Sequence, residues 1–175
     1  MDATAPDTAR SAACVPWLDP EQQRAWKGLI MVAQLLPIAL DRQLQADSRL
    51  AHSDYAVLAT LSAAPDHKLR MSDLASLMDY SQSRISHAMT RIESDGWVRR
   101  EPCLEDKRVF YAVLTDAGQA VLAEAAPGHV AHVRRLVFDH LNEDQVHQLA
   151  VITERISEQL VAAETRSAKS GDGRS

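Results

Sequence analysis

The sequence predicts a mainly α fold carrying a small two- or three-stranded β-wing, and three observations predict it. Between Leu69 and Gly118, two short helical patterns are followed by two strand patterns and then by the cap of another helix. Amphipathic stripes of helical period flank that segment on both sides. Hydrophobic residues make up 46% of the 175 residues but aromatics only 5%, a balance suited to helices packed through Leu, Ala, Val and Ile. That order is the layout of a winged helix-turn-helix with flanking dimerisation helices, in which the second helix is shaped to enter a DNA major groove.

The first helix starts at Asp19-Pro20-Glu21-Gln22, with Asp19 as cap, Pro20 at the first position and Gln22 reaching back. Trp26, Leu29, Ile30, Ala33, Leu36, Leu40 and Leu44 form its apolar stripe, and Pro37 predicts a bend. His52-Ser53-Asp54 opens a second helix with Tyr55, Leu58 and Leu61 inward, closed by Pro65. Ser72 is the expected cap of a third, whose apolar face is Leu74, Ala75, Leu77 and Met78. Asp79-Tyr80 form the turn, and Ser81 caps a fourth helix beginning at Gln82.

In that fourth helix Ile85, Ala88, Met89 and Ile92 recur at helical spacing and predict the inner face. Counting about 100° per residue puts Ser83, His87, Thr90 and Ser94 opposite, with Arg84 and Arg91 on the flank. A short, polar, basic face of this kind can meet base edges and phosphates. Gly96 suits the left-handed position that ends a helix. Trp97–Glu101 and Val109–Leu114 predict two strands. The loop between them carries Lys107 and Arg108 at its tip, where a basic ribbon can reach a minor groove, and Asp106 can brace Arg108. Thr115 caps a long helix that Pro127-Gly128 should bend or break. Asn142 to Gln145 repeat the cap logic, and Val146, Leu149, Ile156, Leu160 and Ala163 stripe the last helix.

Two runs make a resemblance specific. Ile92-Glu93-Ser94-Asp95-Gly96-Trp97-Val98 and, after Asp106-Lys107-Arg108, Leu114-Thr115-Asp116-Ala117-Gly118 stand in the order and separation seen in MarR-family regulators. The segment from about residue 20 to 164 resembles that family. The resemblance implies a repressor that leaves DNA when a small aromatic or anionic effector enters a cleft between the dimer helices and the DNA lobe. Trp17, Trp26, Arg42, His52 and Tyr55 are the candidates to line that cleft.

The expected organisation is a disordered tail over 1–16, a dimerisation helix within 17–50, a DNA-binding lobe over 51–116, dimerisation helices over 117–165 and a disordered tail over 166–175. More apolar stripe is present than one small reading head can cover, so the terminal helices should interlock with a second copy. A twofold dimer implies a pseudo-palindromic operator in double-stranded DNA. The net charge of −5 is unevenly spread. From Lys68 to Arg108 eight cations face seven carboxylates, a local +1 that leaves −6 elsewhere, so affinity should concentrate on the fourth helix and the wing.

No apolar run reaches the roughly 18 residues of a membrane span, and no secretory signal opens the chain, which points to the cytoplasm. No catalytic constellation or cofactor motif is expected: Ser83 and His87 resemble a nucleophile and base, but no carboxylate is placed to orient them. His129 and His132 share a helical face but lack further ligands at metal spacing, and surface histidines explain them better. Cys14 and Cys103 fit no disulfide or metal pattern; Arg100 near Cys103 would favour a thiolate and a redox switch, but a spectator cysteine explains it better. The rival reading is a winged helix reused to bind protein, and the absence of exposed aromatic or leucine anchors on the fourth helix weighs against it.

Overall fold

The computed structural model describes residues 16–78, 82–106 and 108–171. Residues up to Ile38 and residues from Ala39 onward form two separate compact units, with the boundary inside the first helix.

That helix, α1 (Pro20–Ser48), starts as its sequence dictates. Asp19 Oδ1 accepts the N–H groups of Glu21 and Gln22 at 2.9 and 2.8 Å, while Gln22 Oε1 accepts the Asp19 N–H at 3.0 Å. This reciprocal box satisfies donors that an α-helix start leaves unpaired. The helix continues through Pro37. In the N-terminal unit Trp26, Leu29, Met31, Val32, Leu35 and Ile38 are all exposed.

The second unit is built on one apolar core. The end of α1 contributes Leu40 and Leu44, and α2 (His52–Ala63) contributes Val57, Leu58 and Leu61. A 3-10 turn at Pro65–His67 leads into β1 (Lys68–Arg70), a strand with a single apolar residue and therefore almost no periodic signal. Then come α3 (Met71–Leu77), α4 (Gln82–Ser94), β2 (Val98–Pro102) and β3 (Phe110–Leu114). The sheet is antiparallel in the order β1-β3-β2, with Arg70 opposite Tyr111 and Arg100 opposite Ala112. Alternation sends Val98, Ala112 and Leu114 into the core with Leu74, Ile85, Met89 and Ile92. The fold class expected from the sequence is the one observed.

The chain closes with α5 (Asp116–Leu136), a 3-10 turn at Phe138–His140 and α6 (Glu143–Gly171). Thr115 caps α5 by accepting the Gly118 N–H at 3.1 Å. Asn142 and Gln145 form a second reciprocal box at 2.9 and 3.0 Å. Four local expectations need correction. Ser72 does not cap α3: Arg70 holds that position, and the Ser72 hydroxyl donates to Asp73. Leu77 belongs to the exposed surface, not to the inner face of α3. Pro127 does not interrupt α5, because Leu122, Ala125 and His129 keep one face buried on both sides of it. The C-terminal tail expected from residue 166 is helical as far as Gly171. The turn residues Asp79, Tyr80 and Ser81, and most of the N-terminal tail, lie outside the described residues.

Candidate nucleic-acid interface

The reading helix α4 buries Ile85, Ala88, Met89 and Ile92 and exposes Ser83, His87, Thr90 and Ser94, as its periodicity predicts. The Thr90 hydroxyl donates to the Ser86 carbonyl at 2.9 Å and that of Ser94 to the Arg91 carbonyl at 2.9 Å. Both hydroxyl oxygens can also accept, and that of Thr90 lies 3.5 Å from Arg100 Nη2, so this face carries acceptors as well as a histidine. Arg84 lies within α4, and Ser81 and Lys107 fall outside the described residues.

Each flank of α4 is held by an ion pair. On one side Arg91 reaches α2: its Nε donates to Asp54 Oδ2 at 2.7 Å, and its Nη2 bonds both Asp54 Oδ1 and, at 3.3 Å, the Ser53 hydroxyl. The Asp54 side chain is only 4% exposed, against 50% for Arg91. The carboxylate holds the guanidinium firmly in its charged form, above the ordinary arginine range. On the other side Glu93 reaches β2, where its carboxylate meets the Arg100 backbone N–H at 3.2 Å and the Arg100 guanidinium at 3.3 Å. The sequence places Arg91 on the helix flank as a candidate DNA contact and leaves Asp54 and Glu93 out of the site. The usable signal for Asp54 was its place on the same stripe as Val57, Leu58 and Leu61, which puts a carboxylate at a core position.

The end of α4 is a compact joint. Gly96 adopts φ 75°, and the Trp97 N–H returns to the Ile92 carbonyl at 2.9 Å. That geometry is the left-handed helix stop in which glycine avoids the cost other residues meet. Thr115 grips the same turn, donating its hydroxyl to the Gly96 carbonyl at 2.7 Å and its N–H to the Trp97 carbonyl at 3.0 Å. A Cβ on Gly118 would stand 2.1 Å from the Trp97 carbonyl oxygen, so only glycine allows α5 to pass this closely.

Beyond β2 the wing turns back through Cys103 N–H to Val109 carbonyl at 2.8 Å and Val109 N–H to Asp106 carbonyl at 2.9 Å. Asp106 accepts the Arg108 N–H at 3.0 Å and chelates its guanidinium at 3.1 and 3.2 Å. These bonds hold the Asp106 carboxyl below the usual carboxylate range. The Arg108 side chain remains 91% exposed, oriented from behind and open in front. Cys103 is half-buried, and its thiol is pulled below its ordinary range by the backbone N–H groups of Asp106 and Glu105; Arg100, the cation expected to do this, is not among the causes. Cys14 lies outside the described residues.

The five residues expected around an effector are divided between the two units. Trp17, 94% exposed, and exposed Trp26 lie in the N-terminal unit, and Arg42 is exposed on α1. His52 and Tyr55 come together on α2 against His129, with ring centres 6.0 and 4.3 Å from it. His129 is therefore a buried residue rather than the surface histidine expected, and its ring nitrogen meets Gln43 Oε1 at 3.3 Å. Burial first, then the neighbouring His52 and His132, depress its pKa. Among the described residues no three His, Cys, Asp or Glu side chains are placed to hold a metal ion.

The MarR family model matches residues 50–110, the span from the end of α1 through the wing. Sco3205 from Streptomyces coelicolor, described as a MarR family transcriptional regulator in complex with DNA, is 45% identical; the match covers 83% of this chain and 92% of that one, with a TM-score of 0.80. This chain belongs to the MarR family of transcriptional regulators. AbsC from the same organism is 38% identical over 85% of this chain and 99% of its own, with a TM-score of 0.79. The regulator PecS of Dickeya dadantii is 28% identical across 83% of this chain and 87% of PecS. The two runs by which the sequence resembles MarR proteins have a mechanical meaning here. Glu93, Gly96, Thr115 and Gly118 all meet at the joint between α4, β2 and α5, and of the exposed face of α4 only Ser94 falls within the two runs.

Proposed function

We propose that this MarR-family chain is a sequence-specific regulator that binds a pseudo-palindromic operator as a homodimer and represses transcription until an effector releases it. The observation that carries this reading is the exposed polar face of α4, clamped on both flanks, beside a wing whose Arg108 is braced from behind and open in front. In this reading Ser83, Arg84, His87 and Thr90 meet the major groove, with Ser81 at the helix entrance, Lys107 at a phosphate and Arg108 in the adjacent minor groove. Arg91 serves first as the brace to Asp54, and its exposed half can reach a phosphate. The DNA complex of the similar Sco3205 supports the choice of duplex DNA as partner.

Homodimerisation follows from the apolar residues that α1 and α6 leave exposed, Met31, Leu35 and Ile38 on the one and Ile152, Ile156 and Leu160 on the other. The effector we assign to the aromatic or anionic class, on the strength of the rings of His52 and Tyr55 beside His129. No helix among the described residues is long and apolar enough to cross a membrane, in keeping with action in the cytoplasm.

In vitro selection from random duplexes tests the reading, followed by titration of the selected operator with Arg108→Ala and Arg108→Lys. A planar guanidinium fits a narrow minor groove better than an ammonium, so both variants should lose operator affinity while keeping the parent's unfolding midpoint. Selection that enriches no duplex removes the DNA reading. If Arg108→Lys binds like the parent, Arg108 only pairs with Asp106 and the minor-groove role is wrong.

A further inference from the structure

Glu93 and Arg100 share more contacts than a strand end needs. Counting about 100° per residue from Ile85, Ser86, Thr90 and Glu93 line the one flank of α4 that faces β2. Glu93 Oε1 takes the Arg100 backbone N–H, and its Oε2 lies 3.3 Å from Arg100 Nε. Arg100 Nη2 lies 3.5 Å from both the Ser86 carbonyl and the Thr90 hydroxyl. One β2 residue is thus tied by backbone and side chain to successive turns of the reading helix. β2 is already fixed without this, by its register along β3 and by buried Val98. Arg100 Nε is buried with a charge partner but no aligned acceptor, a cost that pure scaffolding would avoid with an apolar side chain.

We infer that Glu93 and Arg100 are positioning residues that set the offset between the reading helix and the wing, so that α4 and Arg108 engage adjacent grooves in one register. This rests on the DNA-binding reading above. The wing loop begins at Cys103, three residues beyond Arg100. A strand advances about 3.3 Å per residue, so a tilt of about 10° at Arg100 would displace that point by about 2 Å. Such a displacement is several times the roughly 0.5 Å range over which a hydrogen bond keeps its length. Thr90, on the reading face, is held by the same guanidinium, so the clamp touches both reading elements at once.

The test uses the full chain and the operator selected by the parent. Glu93→Gln keeps an oxygen for the Arg100 N–H but removes the ion pair; Arg100→Met removes the charge; Arg100→Lys keeps it. Affinity for operator and for random duplex is measured alongside thermal unfolding. Hydroxyl-radical protection reports the wing, and protection of guanine N7 reports α4. Glu93→Gln and Arg100→Met should lower the ratio of operator to random affinity about tenfold, with random binding unchanged. Protection by the wing should fade while protection by α4 persists, and Arg100→Lys should recover part of the ratio. An unchanged ratio overturns the inference. Equal losses on both duplexes with a shallower salt dependence make Arg100 a phosphate contact instead. Loss of both footprints in step with a lower unfolding midpoint makes the pair a scaffold only. A parent that selects no operator removes the underlying reading, and this inference with it.

Discussion

Asp54 decides what Arg91 is able to do. The carboxylate occupies a core position on α2 and its arginine is half-exposed, so the two ends of the pair are unequal. Removing the arginine strands a buried carboxylate, whereas removing the carboxylate leaves a guanidinium that can turn into water. Arg91→Met is therefore expected to cost about 3 kcal/mol of folding stability. Asp54→Asn, which keeps shape and a hydrogen-bonding oxygen, should cost nearer 1 kcal/mol. Urea unfolding of both variants checks the order, and equal costs would show that the pair is not buried as described. His129 carries a second residue-scale expectation. Its pKa is depressed below the ordinary histidine value of 6.5, so just below that pH the unfolded chain binds more protons than the folded one. Stability should then be full above about 6.5 and fall as pH drops through that value toward the depressed one. His129→Phe, which keeps a ring against Tyr55, should flatten this slope while leaving any acid unfolding governed by carboxylates in place. Stability curves across that window that superimpose for parent and variant would contradict the depressed pKa.

At the scale of elements, the joint between α4, β2 and α5 explains which parts of the sequence were legible. Gly118 allows α5 to pass against the Trp97 carbonyl, and no side-chain rotation can relieve a Cβ placed 2.1 Å from a backbone oxygen. Gly118→Ala should destabilise the chain by about 1–3 kcal/mol, the range for overpacking a tight site. It should also loosen β2 from α5, read as faster amide exchange at Thr115, whose N–H is bonded to Trp97. Parent-like stability and exchange would mean that this contact is not made. Caps at Asp19, Thr115 and Asn142 and the inner face of α4 were readable because each is a local pattern with a local cause. β1 had too few residues to show a period, and Ser72 lost its cap to a helix that begins two residues earlier, capped at Arg70. The two ion pairs on α4 span 37 and 7 positions of sequence, and spacing alone does not reveal which carboxylate finds which arginine. The outer face of α4 was legible as a face. Its chemistry as a reader depends on those hidden pairs.

For the whole molecule, the deciding quantity is the apolar surface that a single chain leaves uncovered. Along α6, Leu149, Ile152, Ile156 and Leu160 recur at helical spacing, and all are exposed. Along the start of α1, Met31, Leu35 and Ile38 do the same within their own unit. Water is a poor neighbour for stripes this long, and in the proposed dimer a second copy would supply a matching surface by symmetry. A folded state completed by its partner gains stability with concentration by mass action, so the unfolding midpoint should rise as protein concentration rises. Light scattering at micromolar concentration should give twice the 19.3 kDa of one chain. Ile156→Glu should shift the protein toward the monomer and remove the concentration dependence. Because each monomer keeps its own α4 and wing, that variant should still bind a half-site weakly while losing the full palindrome. A parent that scatters as 19.3 kDa with a concentration-independent midpoint would refute the dimer and, with it, the expectation of a two-fold operator.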